Sequence, residues 1–182
     1  DIIGSQAKAY QVALHDLKNT GLCNAVGFSI YAPAELDAVW QHSSQWRPDL
    51  IQAPFNVLDR RLLTSGWLTH LQQANIRVHT RSAFLQGLLL MPASKRPAWF
   101  APWTPLLNQW LAWCADHQLS PLQAALQFAC AHHNIEKIVV GVDTTTQLKE
   151  IVQSLTDPFK SPPAEFVSED LNLIDPSRWK LA

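Results

Sequence analysis

Leu50-Ile51-Gln52-Ala53-Pro54-Phe55-Asn56 follows Pro48 and opens on a short apolar run. A run of four such residues with proline on either side has the length and flanks of a buried strand; a helix needs ten or more. The reading extends in both directions. Upstream, Ala25 to Ile30 is a second short apolar run, bounded by Asn24 and Pro33. Downstream, Ile76 to Thr80 is a third, and Lys137 to Gly141, the most β-branched run in the chain, is a fourth. Helical spacing fills the intervals. Ala7, Tyr10, Leu14 and Leu17 form one apolar stripe ending near Gly21, and Leu36, Val39 and Trp40 form another. A helical stretch around Leu62 to Ala74 follows. Leu106 to His117 and Pro121 to His132 come next, the latter with Ser120 as N-cap and Pro121 in the first turn. Leu148, Ile151, Val152 and Leu155 close the series. Strand and helix alternating in this way predict successive βαβ units and a parallel sheet.

Four units fit either a small open doubly wound sheet or four of the eight units of a closed barrel, and spacing does not separate them. No G-x-G-x-x-G follows a strand and no G-x-x-x-x-G-K-[ST] occurs, so neither phosphate turn is supported. Pro92, Pro97, Pro102 and Pro105 predict a long loop after the third strand. A proline-rich tail from Pro158 to Ala182 is expected to wrap the surface of a single domain spanning 1–182.

Composition narrows the function classes. The 182 residues are 47% hydrophobic and 16% charged with a formal net charge of −1, enough for one sizeable core. Without a run of Lys or Arg, nucleic acid and anionic membranes are not expected as partners. Cys23, Cys114 and Cys130 are odd in number and widely spaced, which predicts reduced thiols and a cytoplasmic protein. No apolar stretch approaches the ~20 residues that span a bilayer, and the first residues lack a signal-peptide profile. Because the chain begins at Asp1, the natural N-terminus is open. Five of the eight tryptophans lie in the second half, which predicts partial burial or an interface there. His132 and His133 are adjacent and diverge on a helix, so no metal site is expected; His79 is expected to be a satisfied core histidine.

The strand ends discriminate between the two architectures. Gly27-Phe28-Ser29-Ile30-Tyr31, Ile51-Gln52-Ala53-Pro54-Phe55-Asn56, Arg81-Ser82-Ala83-Phe84-Leu85-Gln86-Gly87 and Val140-Gly141-Val142-Asp143 with Gln147-Leu148-Lys149-Glu150 occur in that order. They resemble the fifth to eighth strand ends of aldo-keto reductases, over about Leu14 to Leu155. The run from Pro54 through Leu58-Asp59 and the one from Arg81 are most similar to a bacterial branch found beside polysaccharide-biosynthesis genes.

The resemblance implies an α/β fold, the C-terminal half (strands five to eight) of a (β/α)8 TIM barrel, with a nicotinamide cofactor at its C-terminal face. Ser29 and Gln52 match the residues that hold the nicotinamide carboxamide, while Ile30 replaces a family asparagine. Arg81 stands where relatives place an aromatic ring under the nicotinamide. Ser82, Phe84 and Gly87 match the segment along the pyrophosphate. Asp143, Gln147 and Glu150 match the grip on the adenosine half. A carboxylate at 143 repels a 2′-phosphate and accepts from a ribose hydroxyl, so NADP and NAD both remain open, with NADPH slightly favoured by the family and Lys95 and Arg96 able to close over the phosphate.

The family's catalytic Asp, Tyr, Lys and His come from strands one to four, so no catalytic residue is assigned here; Tyr10 falls on an outer helix and Tyr31 lacks the needed lysine. Half a barrel is expected to expose two strand edges and an apolar interior, and therefore to pair with the missing N-terminal half or a second copy of the chain. Two functions follow. One is the cofactor-binding half of an NAD(P)(H)-dependent oxidoreductase that reduces an aldehyde, ketone or sugar carbonyl; the other is a non-catalytic nucleotide-sensing or scaffold protein.

Overall fold

The computed structural model describes residues 6–42, 46–155, 162 and 164–181. The start of the proline-rich tail at Pro158 lies outside them. The described residues contain one four-stranded parallel sheet in the order β1 (Gly27–Ser29), β2 (Leu50–Pro54), β3 (Arg77–Arg81), β4 (Lys137–Ile138). Sequence order equals spatial order. Between the strands run α2 (Ala34–His42), α3 (Arg61–Thr64) with α4 (Trp67–Gln73), and α5 (Thr104–Asp116) with α6 (Pro121–Cys130). α1 (Ala7–Asn19) precedes them, and α7 (Thr145–Ser154) and α8 (Leu171–Ile174) follow.

Alternation along the strands sorts the residues onto two faces. Ile51, Ala53, Val78 and Thr80 are at most 1% exposed and point toward the helices. There they join Leu36, Leu62, Leu68, Leu71, Phe55, Phe128 and the alanines of α6 in the main core. The opposite face carries Ser29, Gln52, His79 and Lys137 in one cross-strand row and Pro54 and Arg81 in the next. This uncovered face is polar, which corrects the expected apolar interior. Most of the exposed large apolar residues lie toward the ends of the sheet: Tyr10, Val12, Leu17 and Leu22 on or after α1, and Val139, Val142, Leu148, Val152 and Leu155 around β4 and α7. No residue of α1 is buried.

Gly27 is required by close approach. It pairs with Leu50, and a Cβ at 27 would penetrate the Leu50 carbonyl. Asp49 ties this edge together: its carboxylate accepts from the Val26 N–H at 2.9 Å and pairs with Lys18 of α1. Burial raises the Asp49 pKa, but Lys18, the Val26 N–H and Arg77 outweigh it and hold the carboxyl below its ordinary range.

Several boundaries differ from the expectation. The helical stretch at 62–74 is broken in two, because Gly66 turns left-handed at φ +81° between α3 and α4. β4 leaves the ladder after Ile138, although Val139 still donates to the Thr80 carbonyl at 2.7 Å; as an edge strand it has no second neighbour to continue it. α6 stops at Cys130, and its predicted start holds: the Ser120 side chain accepts from Gln123 N–H, completing a capping box. The proline-rich segment forms short 3-10 turns at Ala93–Lys95 and Ala98–Trp103, with Pro105 in the first turn of α5.

Tryptophans fasten this segment to the tail. Trp99 donates to the Asn172 carbonyl, Trp103 to the Asp170 carboxylate and Trp179 to the Leu173 carbonyl, at 3.3, 3.0 and 3.0 Å. Trp110 is buried and donates to the Leu89 carbonyl at 2.9 Å. Phe166, Leu173 and Ile174 of the tail belong to the main core. Cys114 is buried too, and desolvation pushes its thiol pKa up to about 12, leaving no thiolate at neutral pH.

Candidate functional site

The strand ends at Arg81 and Ile138 lead into a groove of about 560 Å3. Of the nine residues expected at a site, six line it: Arg81, Ser82, Phe84, Gly87, Asp143 and Gln147. Gln86, Gly141, Leu122 and Ile151 complete its walls.

The loop after β3 shapes one wall by unusual backbone. Ser82, Leu85 and Gln86 have φ of +62°, +46° and +52°, and Gly87 follows at +84°. Left-handed conformation costs a non-glycine residue of order 1 kcal/mol, so the surroundings must impose it. They do: Leu85 is fully buried, its N–H donates to the Ser82 carbonyl at 2.9 Å, and Leu88 and Leu89 donate back to Leu85 and Phe84. The Asn56 side chain, buried completely, donates to the Ser82 carbonyl at 3.1 Å and accepts from the N–H groups of Leu58 and Asp59. One amide thus locks the end of β2 to the loop after β3. Left over are the N–H groups of Ala83, Phe84 and Gln86, which donate to nothing among the described residues while all three line the groove. Unpaired backbone donors in a concave, irregular loop suit an anion.

The opposite wall is the turn from β4 into α7. Gly141 has open space where a Cβ would stand. Gln147 serves as the N3 residue of a capping box: its Oε1 accepts from the N–H of Asp143 at 2.8 Å and of Thr144 at 3.3 Å. Its carbonyl oxygen is therefore committed, and only its amide N–H groups face outward demand. Glu150, one turn on, is exposed and does not line the groove.

Ser29 and Gln52 sit apart from the groove on the uncovered sheet face. They are register partners, and the Ser29 hydroxyl donates to Gln52 Oε1 at 3.2 Å. His79, next in that row, has a buried Nε2 without a hydrogen bond, 3.7 Å from a Glu136 carboxylate oxygen. It is therefore not the satisfied core histidine the sequence led us to expect. Arg96 does not reach the groove; it donates to Asn108 and the Leu107 carbonyl on α5, at 2.7 and 3.2 Å. The expected closure by Arg96 is corrected accordingly.

Arg81 borders a second, smaller cavity of about 290 Å3, shared with Tyr31, Arg61, Asp175 and Ser177. Its guanidinium lies 4.7 Å from the Tyr31 ring centroid and donates to the Ile30 carbonyl at 3.2 Å and Ser82 Oγ at 3.3 Å. Arg61 differs. It holds the buried Asp59 carboxylate through two 2.8 Å hydrogen bonds, which push its pKa further up against desolvation. Asn56, Tyr31 and Arg61 received no site role from the sequence; the only signal was their place in or beside the strand-end motifs.

The comparisons with known proteins give one family model and several solved structures of similar fold. The family model described as "Aldo/keto reductase family" matches residues 8–166. The aldo-keto reductase AKR11C1 from Bacillus halodurans is similar in its apo form at a TM-score of 0.68 and 20% identity, covering 93% of this chain and 62% of that one. Its holo form gives 0.64 and 20%, covering 89% and 58%. A thermostable aldo-keto reductase, Tm1743, solved with the inhibitor epalrestat, gives 0.59 and 17%, covering 82% and 49%. The chain spans less than two thirds of each of these relatives. No curated protein sequence matches. No helix among the described residues is long and apolar enough to cross a membrane. With the family match running through nearly the whole of a parallel α/β sheet that ends in this groove, the chain belongs to the aldo/keto reductase family.

Proposed function

We propose that the chain is the cofactor-binding half, strands five to eight, of an NAD(P)(H)-dependent oxidoreductase that reduces an aldehyde, ketone or sugar carbonyl, folded as one partial barrel domain. The observation that carries it is the groove after β3, where unpaired N–H groups belong to Ala83, Phe84 and Gln86 in a loop that ends at Gly87. A pyrophosphate fits such a wall. Gln52 and Ser29 offer a donor and an acceptor set matched to a carboxamide. Ser82, Phe84, Gly87, Asp143 and Gln147 line the remaining length, whereas Glu150 lies outside it. When bound, the nicotinamide supplies hydride; this chain's residues bind and orient it.

Placement as the second half draws support from the apolar side chains left at both ends of the sheet, which a second half-barrel, or a second copy of the chain, would cover. Arg81 is the only cation among the residues lining the groove, and Asp143 lies in its wall. That lining suits a ribose 2′-hydroxyl, and so NAD(H), better than the 2′-phosphate of NADPH.

Titration of NADH and NADPH against the chain, followed by cofactor fluorescence, tests the site. Saturable binding that weakens several-fold in Gln52→Leu is expected. Absence of binding at millimolar concentration of both cofactors sinks it.

A further inference from the structure

The charges around the smaller cavity do not balance. Arg61 is neutralised by Asp59, and Asp175 is paired with Arg178 at 3.4 Å and bonded to Ser177. Arg81 has no carboxylate within ion-pair distance among the described residues. It is a half-buried cation. Its orientation is also fixed, by the Tyr31 ring beneath it and by acceptors at Ile30 and Ser82. Two of its five N–H donors are used in those bonds, and Arg81 lines both cavities. A fixed, partly desolvated guanidinium without a counter-ion is a receptor for a planar or tetrahedral oxyanion, which it binds through paired N–H donors.

We propose that Arg81 is the anion receptor of this second cavity, so that the compound taken there beside the cofactor carries a carboxylate or phosphate group. About 290 Å3 accommodates such a group with a few carbons attached, and the Tyr31 ring supplies an apolar wall. As an anion site this stands on the geometry alone; as a statement of substrate class it rests on the reductase reading above.

The test is phosphorus NMR line broadening of inorganic phosphate, and proton NMR of acetate, on the whole chain with and without saturating NADH or NADPH. Expected is broadening that persists when cofactor is bound, and that needs about tenfold more ligand in Arg81→Gln, as loss of one charge-assisted contact implies. Ser177→Phe, which fills only the smaller cavity, is expected to abolish the broadening while cofactor affinity stays within about twofold. Phosphate alone, or acetate alone, identifies which headgroup is taken. Displacement of the anion by cofactor would assign Arg81 to the cofactor's own phosphates and overturn the proposal, as would broadening unchanged in Arg81→Gln. If no cofactor binds but the anion is bound in an Arg81-dependent way, the reductase reading fails and the anion site stands.

Discussion

The two faces of the sheet were built to different rules. On the helix side, Ile51, Ala53, Val78 and Phe55 are shut away from water and make up the centre of the core. On the other, Gln52, His79, Arg81 and Lys137 stand in two cross-strand rows, none of them fully buried. Many barrels fill that inner side with branched apolar side chains. Here the cost of leaving it open is small, since most of its groups are polar, and much of the apolar exposure lies at the sheet's two edges. The core of this chain is thus one-sided, and its stability should answer to one face and not to the other.

The sharpest way to break that contrast is Phe55→Ala. Phe55 stacks on Phe128 at 5.3 Å and meets His132 edge-on at 4.8 Å, so truncation should cost about 3–5 kcal/mol in urea unfolding. A loss below about 1 kcal/mol would mean that the helix-side core is not the principal one. Gly27→Ala comes next. Forcing a methyl group against the Leu50 carbonyl should cost about 1–3 kcal/mol, and hydrogen exchange should quicken at Ile30, whose N–H bonds the Gln52 carbonyl at 2.9 Å, while the N–H of Ile76 stays protected.

Acid probes the same edge more gently. The folded-state pKa of Asp49 is depressed, so its contribution is present above the unfolded value near pH 4 and is lost as pH falls through the folded value. Urea midpoints should therefore decline on acidification below about pH 4, and Asp49→Asn should flatten that decline. An identical acid profile in the variant would remove Asp49 from the account. The smallest effect belongs to the open face. His79→Leu removes a buried nitrogen that has no hydrogen bond, and stability should change by no more than about 0.5 kcal/mol. A loss of several times that would show that the open face carries structural weight.

Much of the fold was legible because it rests on local pattern. β2 and β3 came from short apolar runs, and the helix start at Ser120 from an N-cap serine followed by proline. The break at Gly66 was hidden because the helical spacing continues across it, and the early end of β4 was hidden because Val139 and Val140 are β-branched like Ile138. The candidate site was legible in part. Six expected residues meet in the groove, but the left-handed turn through Leu85 and Gln86 has no compositional mark, since ordinary L residues are held there by buried neighbours. Partner choice was equally invisible. That Gln147 caps its own helix and Arg96 bonds to α5 depends on the folded chain, and no spacing rule separates either from a ligand contact.

The tryptophans that fasten the tail carry a consequence for spectroscopy. Trp99, Trp103, Trp110, Trp113 and Trp179 are concentrated around α5 and the C-terminal segment, whereas the strands contain no indole. Intrinsic emission of this chain is therefore weighted toward docking of the tail. A red shift would register its release even while the sheet persisted, and far-ultraviolet circular dichroism, which follows the backbone, would separate the two events.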